Sequence, residues 1–175
     1  MNRSQPIPMP LFLHIHRTLL IASFAIWFGG FGFYAAIVVP VGTEVLGSAH
    51  AQGMITRRVT ESMNVFCAIA AGMMLVESFV SWKRSQSGDR VILLLMALAV
   101  LGMLVALFVL HPVMNQMIDP NSGVISDRKQ FYSIHRAYLW ISTFQWAAGW
   151  VWLSILIKHW RSIDGSGNSL VGSGE

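Results

Sequence analysis

Four long apolar stretches dominate the pattern of hydrophobic and polar positions along the chain. They run roughly from Leu11 to Val39, from Ser62 to Trp82, from Val91 to Leu110 and from Ala137 to Ile157. A helix of about 20 apolar residues crosses the hydrocarbon core of a bilayer. Because lipid cannot hydrogen-bond the peptide groups of a separate span, each stretch is predicted to be a helix. The pattern therefore predicts an all-α, integral membrane four-helix bundle.

The connections between these stretches differ in length. Residues Lys83 to Arg90 form one short polar segment, which is typical of a tight hairpin between the second and third helices. The connections Pro40 to Glu61 and His111 to Arg136 are long, and each has a proline at or near its start, where a helix commonly ends. We expect an up-down-up-down bundle with two long outer connections and one short cytoplasmic hairpin.

The composition supports a membrane location. Of the 175 residues, 54% are hydrophobic and 11% are charged, whereas about a quarter of a soluble domain is charged. We expect one transmembrane domain over residues 11–161, preceded by a short segment, residues 1–10. The Gly/Ser-rich residues 162–175 are predicted to be a disordered tail.

The basic residues predict an orientation. The formal net charge is +4, but the twelve Lys and Arg are scattered between apolar runs, so a nucleic-acid partner is not expected. Seven of them lie on the side of the N-terminus, the hairpin and the tail, and the other five lie in the long connections. Because cytoplasmic loops carry an excess of Lys and Arg, both termini are predicted to be cytoplasmic, in a bacterial inner membrane.

Small residues recur along one side of the first helix. After His14 and Thr18, every third or fourth position is small: Ala22, Ala25, Gly29, Gly32 and Ala36. Such a stripe lets helix backbones approach closely in lipid. We therefore expect the first helix to pack through this stripe.

The last helix carries a stripe of polar residues. The residues spaced by three or four are His135, Tyr138, Ser142, Gln145, Gly149 and Trp152. Polar side chains in a membrane face the bundle or a wet cavity, so this stripe is predicted to face inward. Two interpretations stay open: interhelical hydrogen bonding, or a narrow polar cleft that binds a ligand, with His135 at its mouth and His111 opposite.

One carboxylate lies inside an apolar stretch. Glu77 belongs to the second predicted helix, near its cytoplasmic end. A buried charge in a membrane is costly and needs a partner, and His14, His16 and Arg17 lie at a similar depth. The alternative is that Glu77 extends to the interface, which its position permits.

Candidate ligands for a metal or haem are few. His111 ends the third predicted helix and His135 precedes the fourth, so the two imidazoles could meet and bind copper or a haem iron. The single cysteine, Cys67, excludes a disulfide framework and a Cys-based zinc site. No cofactor is expected, with haem or copper as the alternatives.

Three short motifs carry a resemblance. They are Trp27-Phe28-Gly29 in the first helix, Pro40 just after it, and Phe131 followed by His135 before the last helix. In these motifs and in the order of its connections, the chain resembles poorly characterised four-helix membrane proteins. These are bacterial domain-of-unknown-function proteins related to the copper-resistance-D-type membrane domain, and a small vertebrate transmembrane protein. The resemblance implies a four-helix fold in a membrane.

These observations predict a multi-pass inner-membrane protein of unknown physiological role that is not an enzyme. One alternative is a component of metal or small-solute transport. Another is a haem-binding electron-transfer subunit that uses His111 and His135. The expected partners are the lipid bilayer and a second membrane protein, which can be another copy of the chain.

The orientation is tested by cysteine labelling of intact cells, after Cys67 is replaced. A membrane-impermeant reagent should label Ser126→Cys from outside but leave Ser87→Cys unlabelled, because the charge bias places the hairpin in the cytoplasm. Labelling at position 87 without labelling at position 126 would reverse the orientation.

Overall fold

A computed structural model describes residues 11–84, 88–119 and 124–169 of the chain. The helical elements, in chain order, are α1 (Leu11–Phe33), a π-helical segment (Tyr34–Val38), α2 (Val39–Leu46), α3 (Ala49–Arg84), α4 (Asp89–Gln116) and α5 (Arg128–Ser169). Four helical stretches are long and apolar enough to cross a membrane: Leu11–Leu46, His50–Lys83, Asp89–Gln116 and Arg128–Asp164. The predicted all-α, four-helix membrane fold is confirmed.

The helices are longer than the apolar stretches. α3 has 36 residues, about 54 Å at 1.5 Å per residue, whereas the hydrocarbon core is about 30 Å thick. Polar residues 49–61 form its first turns and not a loop, so only Gly47 and Ser48 separate α2 from α3. Hydropathy cannot distinguish a polar helical end from a loop.

The end of the last helix also differs from the prediction. α5 continues to Ser169, past Ser162, where the sequence predicts a disordered tail. Residues 170–175 and the N-terminal segment 1–10 lie outside the described residues.

The two prolines do not end their helices. Pro112 lies inside α4, four residues before its end. Pro40 lies in the first turn of α2, directly after the π-helical segment, where the N–H of Val39 bonds to the carbonyl of Tyr34, five residues back. The missing N–H of Pro40 interrupts the backbone hydrogen bonds of the helix, and the helix continues through Pro40 with a π-helical turn directly before α2.

The connections at the far end of the bundle are compact. Gly47 has a φ of 59°, the left-handed conformation that glycine adopts without strain at a helix C-terminus. Between α4 and α5, Ile118 and Ile125 form an antiparallel bridge. The chain therefore turns sharply at both of these connections.

Successive spanning helices pack along heptad-like seams. The buried side chains of α4 are spaced alternately by four and three residues: Leu93, Ala97, Val100, Leu104, Leu107, His111 and Met114. α5 presents an equivalent row, which continues the predicted polar stripe through Leu156 to His159. This spacing is typical of left-handed antiparallel helix packing. α3 packs against α1 and α4, and α4 packs against α5.

Aromatic side chains join α1 to α5. Phe28 stacks on Trp146 with ring centroids 4.6 Å apart, and the Trp146 indole N–H donates a 3.3 Å hydrogen bond to the Phe28 carbonyl. Trp27 and Phe28 also lie over Gly149 of α5, where a Cβ atom would come within 3.2–3.3 Å of their rings. We call Phe24, Trp27 and Phe28 the aromatic wedge; all three are buried.

The predicted packing stripe of α1 is wrong. Ala22, Ala25, Gly29 and Ala36 are exposed, and Gly32 is half-buried. The wedge occupies the bundle-facing side, because large rings bury far more apolar surface than alanine and glycine do. The small residue at this contact is Gly149, on the opposite helix.

Two glycine substitutions test this packing. Gly149→Leu should lower the free energy of unfolding in detergent by about 1–3 kcal/mol, because an added side chain meets the wedge rings. Gly29→Leu should have little effect, because no atom lies within 4 Å of a Cβ built there. Denaturation of both variants by SDS measures the difference. A greater loss for Gly29→Leu than for Gly149→Leu would contradict the packing.

Candidate ligand cavity and buried ion pair

The polar stripe of α5 faces into the bundle. Tyr138, Ser142 and Gln145 are 4–7% exposed, whereas the neighbouring Leu139 and Trp140 are more than half exposed. The Tyr138 hydroxyl and the Asn64 side chain of α3 hydrogen-bond to each other at 3.1 and 3.2 Å. The Gln145 amide donates to the Val100 carbonyl of α4 at 3.1 Å. The inward direction predicted for these side chains therefore agrees with the structure.

These three side chains also form one wall of a cavity. The cavity has a volume of about 130 Å³ and lies between the C-terminal half of the first span, α3 and α5. α3 contributes Thr56, Thr60, Met63, Asn64 and Cys67, and α4 contributes Leu107 at its back. Liquid water occupies about 30 Å³ per molecule, so the space suits a few waters or the head group of a small molecule.

The π-helical segment forms the opposite wall. Tyr34 and Ala35 line the cavity together with Trp27, Phe31 and Val39 of the flanking helices. A π-helical turn widens the helix by one residue and is frequent at functional sites. Here the π-helical segment comes directly before the helix that contains Pro40, and it places Tyr34 at the cavity.

A polar network closes the cavity toward the α2–α3 turn. The Tyr34 hydroxyl donates to the Thr56 hydroxyl at 3.0 Å, and the Gln52 amide donates to the Tyr34 oxygen at 3.4 Å. Gln52 is buried and packs directly on Gly42, so a larger residue at position 42 would require the Gln52 side chain to move. These side chains fasten α2 to the first turns of α3.

The lining is mostly apolar and includes several polar groups without formal charge. It contains hydroxyls, amides, a thiol and aromatic rings, and among the described residues no Asp, Glu, His, Lys or Arg contributes to it. Ser142 donates its hydroxyl proton to the Tyr138 carbonyl at 2.9 Å, which leaves lone pairs for another donor. Such groups can orient an uncharged ligand by hydrogen bonds, but they supply no formal charge to bind an ion.

The two histidines proposed at the cleft mouth have different neighbours. Nδ1 of His111 lies 3.3 Å from Nδ2 of Asn115, and its ring lies 6.4 Å from that of Tyr138. His135 is half-buried and stacks on Phe131. Neither lines the cavity. Within residues 11–84, 88–119 and 124–169, no three His, Cys, Asp or Glu side chains form a group that could hold a metal, so haem or copper ligation by this pair stays a prediction.

The opposite end of the bundle contains a buried ion pair. Glu77 is 3% exposed, and its Oε2 lies 2.7 Å from Nε2 of His16. The Trp160 indole N–H donates to Oε1 at 2.7 Å, and the Ser81 hydroxyl donates to the same oxygen at 3.4 Å. Glu77 thus connects α1, α3 and α5 and does not extend to the interface. Of the three proposed partners, His16 is the one in contact, and His14 is exposed.

A second ion pair lies beside the first. Arg17 makes a two-pronged contact with Asp164 at 2.8 and 3.2 Å, and its guanidinium stacks on the Trp160 ring. This contact joins the start of α1 to the end of α5. Together the two pairs link three helices at the end of the bundle that contains the start of α1 and the end of α5.

Several of these residues were not predicted from the sequence. The α3 wall, especially Asn64, was missed, although a lone amide within an apolar run was a usable signal. Tyr34 and Trp160 gave no such signal, because single aromatic residues are common in membrane helices. Asp164 lies in the segment that was predicted to be disordered.

The fold and these two polar sites define a class: a multi-pass helical membrane protein with a polar interior. The chain belongs to the family described as a domain of unknown function, DUF4149, whose sequence model matches residues 22–120. The match covers most of the first span, α3 and α4. No curated protein and no solved structure matches the chain.

Loss of the buried carboxylate tests the ion pair. Glu77→Ala should lower the free energy of unfolding by about 1–3 kcal/mol, because the donors of Trp160 and Ser81 lose their acceptor. Glu61→Ala is the matched control, since Glu61 is an exposed residue of the same helix and should have almost no effect. Thermal denaturation in detergent measures both variants. If Glu77→Ala and Glu61→Ala are equally stable, the contacts of Glu77 do not stabilise the fold.

Proposed function

We propose that this protein binds a small uncharged molecule in the cavity between the first span, α3 and α5, and acts as a component of small-solute transport. The observation that carries the proposal is a group of uncharged polar side chains in the otherwise apolar lining of the cavity, within helices long enough to span a membrane. Ser142 and Asn64 have partners within the protein, and the Ser142 oxygen can still accept a hydrogen bond from another donor.

A structural role alone would need fewer polar groups. Tyr138 and Asn64 satisfy each other, and Gln145 bonds to α4. Thr60 also lines the cavity, and among the described residues no protein group hydrogen-bonds to its hydroxyl. Water or a ligand can supply the missing partner, and the apolar rings of Trp27 and Phe31 favour a molecule that is partly apolar.

The proposal includes a location. We place the protein in a bacterial inner membrane with both termini in the cytoplasm. The charge distribution supports this orientation. The contact between Arg17 and Asp164 supports placing both ends of the helical domain on one side.

Binding of 1,4-butanediol and butanamide to the full chain in lipid nanodiscs tests the proposal. Ser142→Val should weaken binding about tenfold, which corresponds to one hydrogen bond of about 1.4 kcal/mol, because it removes a polar group from the wall. Thr143→Val should bind like the wild type, since Thr143 is the adjacent exposed residue and does not line the cavity. Ligand-observed NMR measures both affinities.

Two outcomes would overturn the proposal. One is that neither uncharged probe binds the wild-type protein. The other is that Ser142→Val and Thr143→Val bind both probes with the same affinity as the wild type.

A further inference from the structure

We infer that the ligand of this cavity is a lipid-soluble molecule with an uncharged hydroxyl or carbonyl head group, which enters sideways from the bilayer between the first span and α5. This inference rests on the proposed function and specifies the class of its ligand. Three observations carry it: the seam between the two helices, the graded polarity of the cavity and the closed end beside the α2–α3 turn.

The first observation is the seam. The helix pairs α1 and α3, α3 and α4, and α4 and α5 pack closely along their backbones, but α1 and α5 do not. The aromatic wedge joins α1 to α5 through side chains at Trp146 and Gly149. The cavity begins beside this contact, at Trp27, and extends to Ala35 and Leu139. Ala35 follows Phe28 by seven residues and Leu139 precedes Trp146 by seven, so in antiparallel helices the two lie on the same level of the seam.

The second observation is the graded polarity from outside to inside. The lining residues on the lipid-facing side are apolar: Ala35 is exposed, and Leu139 is 52% exposed. The buried lining residues include polar side chains, with Asn64 at 6% and Gln145 at 4% exposure, beside the apolar Leu107. An apolar chain or ring therefore fits at the seam, and its hydrogen-bonding head fits at the inner end.

The third observation concerns the route from water. Toward the α2–α3 turn, the lining residues Tyr34 and Thr56 hydrogen-bond to each other, and Gln52, which packs against Gly42, donates to Tyr34. At the end of the cavity away from the α2–α3 turn, the buried rings of Trp27 and Phe28 fill the space between the helices. The seam is thus the side on which the lining reaches the surface.

The chemistry of the lining restricts the head group. A phosphate or a carboxylate would lose its hydration without gaining a cation, since no Lys, Arg or His in the described part of the chain lines the cavity. A hydroxyl or a carbonyl can pair with the hydroxyls and amides there. We therefore expect an uncharged long-chain alcohol or ketone and not a phospholipid head group.

Photo-cross-linking of the full chain in phosphatidylcholine nanodiscs tests the inference. The probe is a sixteen-carbon primary alcohol with a diazirine near its hydroxyl, and a sixteen-carbon fatty acid with the same diazirine is the charged comparison. Mass spectrometry of the digested protein locates the labelled peptides. We expect the alcohol to label peptides that contain Asn64 or Ser142 at least fivefold more than the fatty acid does.

Two neighbouring alanines provide matched variants. Ala35→Phe places a ring in the seam and should reduce labelling by the alcohol at least fivefold. Ala36→Phe should label like the wild type, because Ala36 is exposed but does not line the cavity. Both positions lie in the π-helical segment, so a general effect on folding should appear in both variants.

The outcomes separate the inference from the proposed function. Equal labelling of the cavity peptides by alcohol and acid, or equal labelling of the two alanine variants, overturns the lipid-soluble ligand. If 1,4-butanediol still binds and requires Ser142, the proposed function stands and the ligand arrives from water. If the short probes do not bind either, both statements fail.

Discussion

The aromatic wedge of Phe24, Trp27 and Phe28 determines how the first span packs against α5. Rings of this size bury 150–250 Å² each, and their contact with Trp146 and Gly149 is the main link between these two helices. A stripe of small residues would have drawn the backbones together along their whole length. Contact through rings holds the backbones apart, and the cavity occupies the space that remains beyond the wedge.

The two polar sites lie on opposite sides of the wedge and differ in chemistry. At the end where α1 begins, Glu77 contacts His16, Trp160 and Ser81, so side chains from three helices hold its carboxylate. At the other end, the cavity has polar groups without formal charge. The first arrangement fastens helices, since its polar atoms are paired within the protein. The second leaves hydrogen-bonding capacity, which is what a binding site needs.

Much of the fold follows from the sequence, because lipid allows little besides helices. The direction of Tyr138, Ser142 and Gln145 also followed from helical spacing. The lengths of the helices did not follow from the sequence. Residues 49–61 are largely polar, yet they belong to α3, which is longer than the hydrocarbon core is thick. Neither did the packing of α1: small residues permit a close approach, but Trp27 and Phe28 on the other side bury more surface. The α3 wall of the cavity depends on which side of α3 faces α5, and the local sequence of α3 does not indicate that side.

The central claim is that the first span and α5 leave a gap that opens to lipid and leads to buried polar groups. An experimental structure of the protein in a lipid nanodisc tests it most directly. We expect elongated non-protein density that passes between Ala35 and Leu139 and ends within hydrogen-bonding distance of Ser142. Side chains of the two helices packed continuously across that gap, with no space beside Asn64, would contradict the claim.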